Sequence, residues 1–93
     1  MMEKIYIIGV GLIGGSFALD IKSLYPKTKI FGIDNNEAHL DEALSLSIID
    51  TTATLDDLKH ADLVIVAIPV NATVTLLPKI LDKISDSTLV IDV

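Results

Sequence analysis

Apolar residues in this chain gather in short unbroken runs, separated by segments whose apolar positions recur every three or four residues. That alternation predicts strands buried on both faces with helices laid across them. The first run, Ile5-Tyr6-Ile7-Ile8, belongs to a strand over Lys4 to Gly9. Leu12, Ile13, Phe17, Ala18, Ile21 and Leu24 follow at helical spacing, placing one face of a helix from Leu12 to Leu24 on the sheet. Pro26 cannot continue that helix, and a second strand, Thr28 to Ile33, follows at once. Asn35-Asn36 reads as the N-cap of a second helix, with Glu37 in its first turn and Ala38, Leu40, Ala43, Leu44 and Leu46 as its apolar side.

Ile48-Ile49-Asp50 reads as a short third strand, and Thr54 to Leu58 as a cap with a brief helical turn. Leu63 to Ile68 has the strongest strand character and is expected beside the first strand, with Pro69 stopping it at its carboxyl end. Val70, Val74, Leu77, Leu81 and Ile84 keep a helical period that Pro78 interrupts. A proline inside a helix costs about 3 kcal/mol, so a kink, or two consecutive helices with Pro78 near the start of the second, is expected. Thr88 to Val93 is a fifth strand. The order predicts an α/β protein: a Rossmann-type open parallel sheet of five strands in spatial order 3-2-1-4-5, with helices on both faces.

Ninety-three residues allow one small domain. The apolar content of 51% and mean hydropathy of +0.59 fit a doubly covered sheet, and also a surface meant for a partner domain. Seven basic against thirteen acidic residues leave a net charge of -6 with no Lys/Arg cluster, which argues against nucleic acid as a partner. Cysteine is absent, which excludes thiolate chemistry and makes a reducing, cytoplasmic setting the default. No apolar stretch is long enough to span a bilayer, and the glycines after the first run fit a nucleotide turn better than a signal peptide. Asn71-Ala72-Thr73 matches a glycosylation acceptor, but such three-residue matches arise readily by chance.

Candidate chemistry sits at the first strand-to-helix junction, Gly9-Val10-Gly11-Leu12-Ile13-Gly14. Gly9 lets the chain turn off the strand, Gly11 lets backbone approach a pyrophosphate, and Gly14 lets helix and strand pack closely. The unpaired amides and positive dipole end of the following helix suit a phosphate. Asp34, at the end of the second strand, lies about twenty positions beyond Gly14, the spacing for a carboxylate that reaches the adenosine ribose. An acid there repels a 2′-phosphate, and Asn35 and Asn36 bring no cation, so NAD is expected over NADP.

Ile8 to Ser16, Gly32-Ile33-Asp34, Ala61 to Val70 and Val90 to Val93 together resemble the N-terminal nucleotide-binding domain of prephenate dehydrogenases and their arogenate-using relatives. That resemblance covers essentially the whole chain, and the G-L-I-G-G-S form of the turn is its most distinctive part. It implies NAD-dependent oxidative decarboxylation of prephenate to 4-hydroxyphenylpyruvate in tyrosine biosynthesis. It also implies a cofactor site of Gly9, Val10, Gly11, Gly14, the backbone amides of Leu12 and Ile13, and Asp34 with Asn35. Ala67, Ile68 and Pro69 would form a wall near the nicotinamide half.

In such enzymes the last strand leads on to a Ser/Lys segment, a histidine acting on the substrate hydroxyl, and a helical domain with substrate-binding arginines and the dimer interface. By that resemblance residues 1–93 are a domain fragment that binds NAD without turnover, takes prephenate only with the second domain, and comes from a homodimeric parent. No catalytic residue and no metal ligand is assigned within it; His39 and His60 are read as solvated side chains. Two other classes share the turn and the strand-two acid. One is an NAD-sensing regulatory module of the potassium-transport type, and the other is the cofactor domain of a 3-hydroxyacid dehydrogenase or pyrroline-carboxylate reductase.

Overall fold

A computed structural model describes residues 3–93, leaving the side chains of Leu12 and Ile13 outside that description. Strand β1 (Lys4–Ile8) is central, and every residue after Lys4 in it is buried. It pairs in parallel with β2 (Lys29–Ile33) on one side and with β4 (Leu63–Val66) on the other. Beyond these lie β3 (Thr51–Thr52) and β5 (Leu89–Asp92), giving the sheet order β3-β2-β1-β4-β5. Ile5 stands in register with Ile30 and Leu63, and Ile8 with Ile33 and Val66, so the three inner strands end at one level.

Alternation along β1 divides the core in two. Ile5 and Ile7 join Ile30, Ile65, Ala18 and Ala43 under α1 (Leu12–Leu24) and α2 (Glu37–Ser45). Tyr6 and Ile8 join Val64, Val66, Leu58 and Ile80 under the 3-10 helix Leu55–His60 and α3 (Val70–Lys83). Tyr6 stacks on Phe31 with ring centroids 4.4 Å apart. Burial, and secondarily the Asp57 carboxylate, pushes the Tyr6 phenol above its ordinary value.

Two carboxylates tie strand ends together. Asp62, just before β4, accepts from the backbone amides of Glu3 and Lys4 at 2.9 Å each, which clamps the start of β1. Asp50, just before β3, accepts from the Ile30 amide at 2.8 Å through Oδ2 and from the Lys22 ammonium through both carboxylate oxygens, at 2.5 and 2.7 Å.

The structure corrects five sequence expectations about these elements. Ile48 and Ile49 do not form the third strand, which pairs only over Thr51–Thr52. They complete the end of α2, where the Ser47 amide donates to Leu44 and the Ile48 amide to Ala43, with Ser47 at φ 58°. Ile49 is apolar because it fills the core over Gly32, not because it lies in the sheet.

On α1 the buried face is narrower than its apolar spacing suggests. Ala18 is buried and Ile21 packs partly against the core, while Phe17 and Leu24 are exposed. Helix α2 likewise buries Ala43 and leaves Leu44 and Leu46 exposed.

Of the apolar series Val70, Val74, Leu77, Leu81 and Ile84, Ile84 packs partly against the core and Leu77 is half-buried, but the rest face outward. Thr73 and Ile80 are buried, whereas Val70, Val74 and Leu81 are 81%, 71% and 53% exposed. An apolar-rich helix carries more than one apolar stripe, and packing chooses between them. Nor does Pro78 divide α3, which runs unbroken from Val70 to Lys83. Val74, whose carbonyl loses its partner there, and Pro78 itself are both exposed, so the missing bond falls on the solvent side.

Candidate functional site

The carboxyl ends of β1, β2 and β4 meet at Gly9. Its φ of 92° is a conformation that only glycine adopts freely, and its amide donates to the Ile33 carbonyl at 2.7 Å. A Cβ on Gly9 would stand 2.5 Å from the Ala67 carbonyl oxygen. The turn is therefore held between the neighbouring strands and needs a bare backbone twice over.

Helix α1 starts directly from this turn, with Gly11 as its N-cap residue. No side chain caps the helix and no acid stands in its first turn, so its leading amides and positive dipole end are left for an anion. A Cβ on Gly11 would find nothing nearer than His39 Cε1 at 3.9 Å, so the space over this backbone is open. Gly14 is the opposite case. A Cβ there would fall 1.8 Å from the Gly9 carbonyl oxygen, so α1 lies on the end of β1 at backbone contact.

Asp34 follows β2 and turns back to the glycine turn. Its Oδ2 accepts from the Val10 amide at 3.1 Å, and its Oδ1 from the Asn36 amide at 2.9 Å. The Asp34 side chain is only 9% exposed, and its carboxylate is oriented by these two backbone donors. Asn36 caps α2 by accepting from the amides of Ala38 and His39, at 3.0 and 3.4 Å. That cap places His39 in the first turn of α2, where its Nδ1 lies 3.2 Å from Asp34 Oδ2.

His39 is thus not the free solvated side chain expected from its place on a surface helix. It is half-exposed, and its ring is joined to the candidate ribose acid. The sequence carried a usable sign of this. A helix capped two residues after a strand-ending acid brings its first-turn side chains back to that acid. His60, by contrast, is exposed at the end of the 3-10 helix.

A recess of about 770 Å³ opens beside Asp34, a size suited to a small ligand. Its walls include Ile8, Gly9, Ile33, Asn35, Leu55, Ile68, Pro69 and Leu76. Ile68 and Pro69 therefore share one recess with the candidate ribose acid. Ala67 does not line it; its amide donates to the Ile8 carbonyl at 2.8 Å and its own carbonyl packs on Gly9. The Thr73 hydroxyl donates to the Pro69 carbonyl at 3.2 Å and steadies this corner from α3. Leu55 and Leu76 enter the wall from elements whose apolar spacing gave no hint of it.

Among the described residues, no group of three His, Asp or Glu side chains is placed to hold a metal ion. No helix among them is long and apolar enough to cross a membrane.

A family described as prephenate dehydrogenase, nucleotide-binding domain, matches residues 17–93. That match begins just after the glycine turn, so the geometry of the turn is independent of it. The chain is similar to prephenate dehydrogenase of Lactococcus lactis, 42% identical over 80 residues, covering 85% of this chain and 22% of the relative. Prephenate dehydrogenase of Bacillus subtilis is 40% identical over 82 residues, covering 86% of this chain and 22% of that one. The chain thus spans about a fifth of the length of these curated relatives. Among solved structures, prephenate dehydrogenase of A. aeolicus in complex with hydroxyphenyl propionate and NAD+ superposes with a TM-score of 0.90 at 30% identity. It covers 99% of this chain and 33% of that one.

Proposed function

We propose that this chain, which belongs to the prephenate dehydrogenase nucleotide-binding domain family, holds NAD for the oxidative decarboxylation of prephenate to 4-hydroxyphenylpyruvate. The observation that carries this reading is the joining of the glycine turn to Asp34 through the Val10 amide, which puts an open backbone at Gly11 and an oriented carboxylate side by side. Support comes from the A. aeolicus relative, whose structure contains NAD+.

The residues present fit the group. The open backbone at Gly11 and the amides of Leu12 and Ile13 would take the diphosphate, since a side chain at position 11 would fill that space. Asp34 would accept hydrogen bonds from the adenosine ribose hydroxyls, with Asn35 at its edge. Ile33, Leu55 and Leu76 would provide an apolar wall for the adenine, with Ile68 and Pro69 continuing the same recess toward the nicotinamide half. When bound there, NAD would supply the hydride acceptor for the oxidation.

The work of this chain is positional. Holding the diphosphate and ribose against β1 and β2 fixes one end of the cofactor and so limits where its reactive end can lie. The groups that bind prephenate and act on its hydroxyl would belong to a further domain, of the kind that makes up the rest of the relatives' length. Residues 1–93 would then be the cofactor-binding domain of a homodimeric enzyme.

Titrating the protein with NADH and following nicotinamide fluorescence tests the reading. Saturable enhancement, competed by NAD, is expected. No binding of either, in a protein shown to be folded by circular dichroism, would refute it.

A further inference from the structure

We infer that His39 reads the 2′ position of the adenosine ribose together with Asp34, and that the charge of its ring sets how strongly the site rejects a 2′-phosphate. This rests on the dinucleotide reading above. The His39 Nδ1 is 3.2 Å from Asp34 Oδ2, and the Cε1 of the same ring is the nearest atom to the open space over Gly11, at 3.9 Å. The ring therefore borders both the ribose acid and the place assigned to the diphosphate. Residues 30–58 contain no Lys or Arg, so His39 is the one side chain in that span that can become cationic.

A neutral ring that donates Nδ1–H to Asp34 leaves the pair with a full negative charge, which repels a 2′-phosphate. A protonated ring cancels that charge and offers Nε2–H as a further donor. Imidazole makes this change between pH 5 and 8. Of the residues lining the space around the ring, Glu42 is the other carboxylate, on α2. Helix α1 contributes Gly15, Ser16 and Leu19 and no charge.

The test compares NADH and NADPH affinities at pH 8 and pH 6 for the wild type and His39→Asn. The asparagine amide nitrogen takes the position of Nδ1 and keeps the donor to Asp34, but it cannot gain charge. In the wild type the preference for NADH over NADPH should fall on the order of fivefold or more from pH 8 to pH 6, the scale of one charge-assisted hydrogen bond. In His39→Asn it should fall less, through the ionisation of the phosphate itself at about pH 6. Equal falls in the two proteins, or no fall in the wild type, would overturn the role of His39 alone. Failure to bind either dinucleotide would overturn the dinucleotide reading and this inference with it. His39→Gln, which also cannot charge, repeats the comparison should His39→Asn fold poorly.

Discussion

The Val10 amide donates to Asp34 Oδ2 at 3.1 Å, so the acid at the end of β2 is fastened to the glycine turn at the end of β1 by the protein's own backbone. Because the carboxylate is oriented by donors on both oxygens, a ribose arriving there meets an acceptor whose rotamer is already chosen. Its geometry is part of the turn rather than an addition to it.

Removing that carboxylate has two expected effects. Asp34→Ala deprives the Val10 and Asn36 amides of their acceptor and should lower folding stability by about 1–2 kcal/mol. It should also weaken NADH about tenfold or more, while affecting NADPH less because the repelling charge is gone. Urea denaturation and parallel fluorescence titrations separate the two. An unchanged ratio between the dinucleotides would show that Asp34 does not face the 2′ position.

Gly14 and Gly11 should fail differently. A methyl group at Gly14 collides with the Gly9 carbonyl at 1.8 Å, and α1 cannot withdraw without opening the core around Ala18. Gly14→Ala should therefore cost several kcal/mol, on the order of 3 or more by the usual scale of core overpacking, and unfold at markedly lower urea. Gly11→Ala adds a methyl to open space and should stay within about 1 kcal/mol of the wild type. Gly11→Val, which fills the diphosphate's place, should abolish binding of both NADH and NADPH while the circular dichroism spectrum is kept.

Ser47 holds a φ of 58° where α2 ends, a position that glycine occupies without steric cost. Replacing it with glycine relieves strain in the folded state and raises the entropy of the unfolded one, with the first effect larger. Ser47→Gly should stabilise the protein by about 0.5–1 kcal/mol, seen as a rise of roughly 2–8 °C in Tm. A fall in Tm would mean that the serine side chain contributes contacts worth more than its strain.

Acid should loosen the strand ends first. Burial pushes the Asp50 carboxyl up, but the Lys22 hydrogen bond, the Ile30 amide and the charges of Lys22 and Lys29 outweigh it and hold the group below the ordinary carboxylate range. The Lys4 and Glu3 amides lower Asp62 in the same way. For a depressed carboxyl, the stabilising contribution is full above its unfolded value of about 3.9 and is lost as pH falls through the folded value. Urea midpoints taken at pH 7, 4 and 3 should therefore drop steeply below pH 4 in the wild type. The drop should be shallower in Asp50→Asn with Asp62→Asn, a pair that is less stable at pH 7.

Sequence alone determined the sheet and the opening of the site. Continuous apolar runs at Ile5 to Ile8 and Leu63 to Val66 read as strands covered on both faces, and the glycine turn after the first of them marks the switch point of the order β3-β2-β1-β4-β5. The spacing from the glycines to Asp34 follows from the length of one strand-helix-strand unit, so it is legible without coordinates. The rotation of each helix is not. Val70, Val74 and Leu81 have as good an apolar period as the face carrying Thr73, Leu76 and Ile80, and only the approach of α3 to β1 and β4 decided which was buried. The same is true of Ile48 and Ile49, where helix-end geometry took residues whose composition suits a strand. His39 is the functional instance. The Asn36 cap, legible in the sequence, puts it in the first turn beside Asp34, but its 3.2 Å approach depends on the angle at which α2 leaves β2, which packing sets.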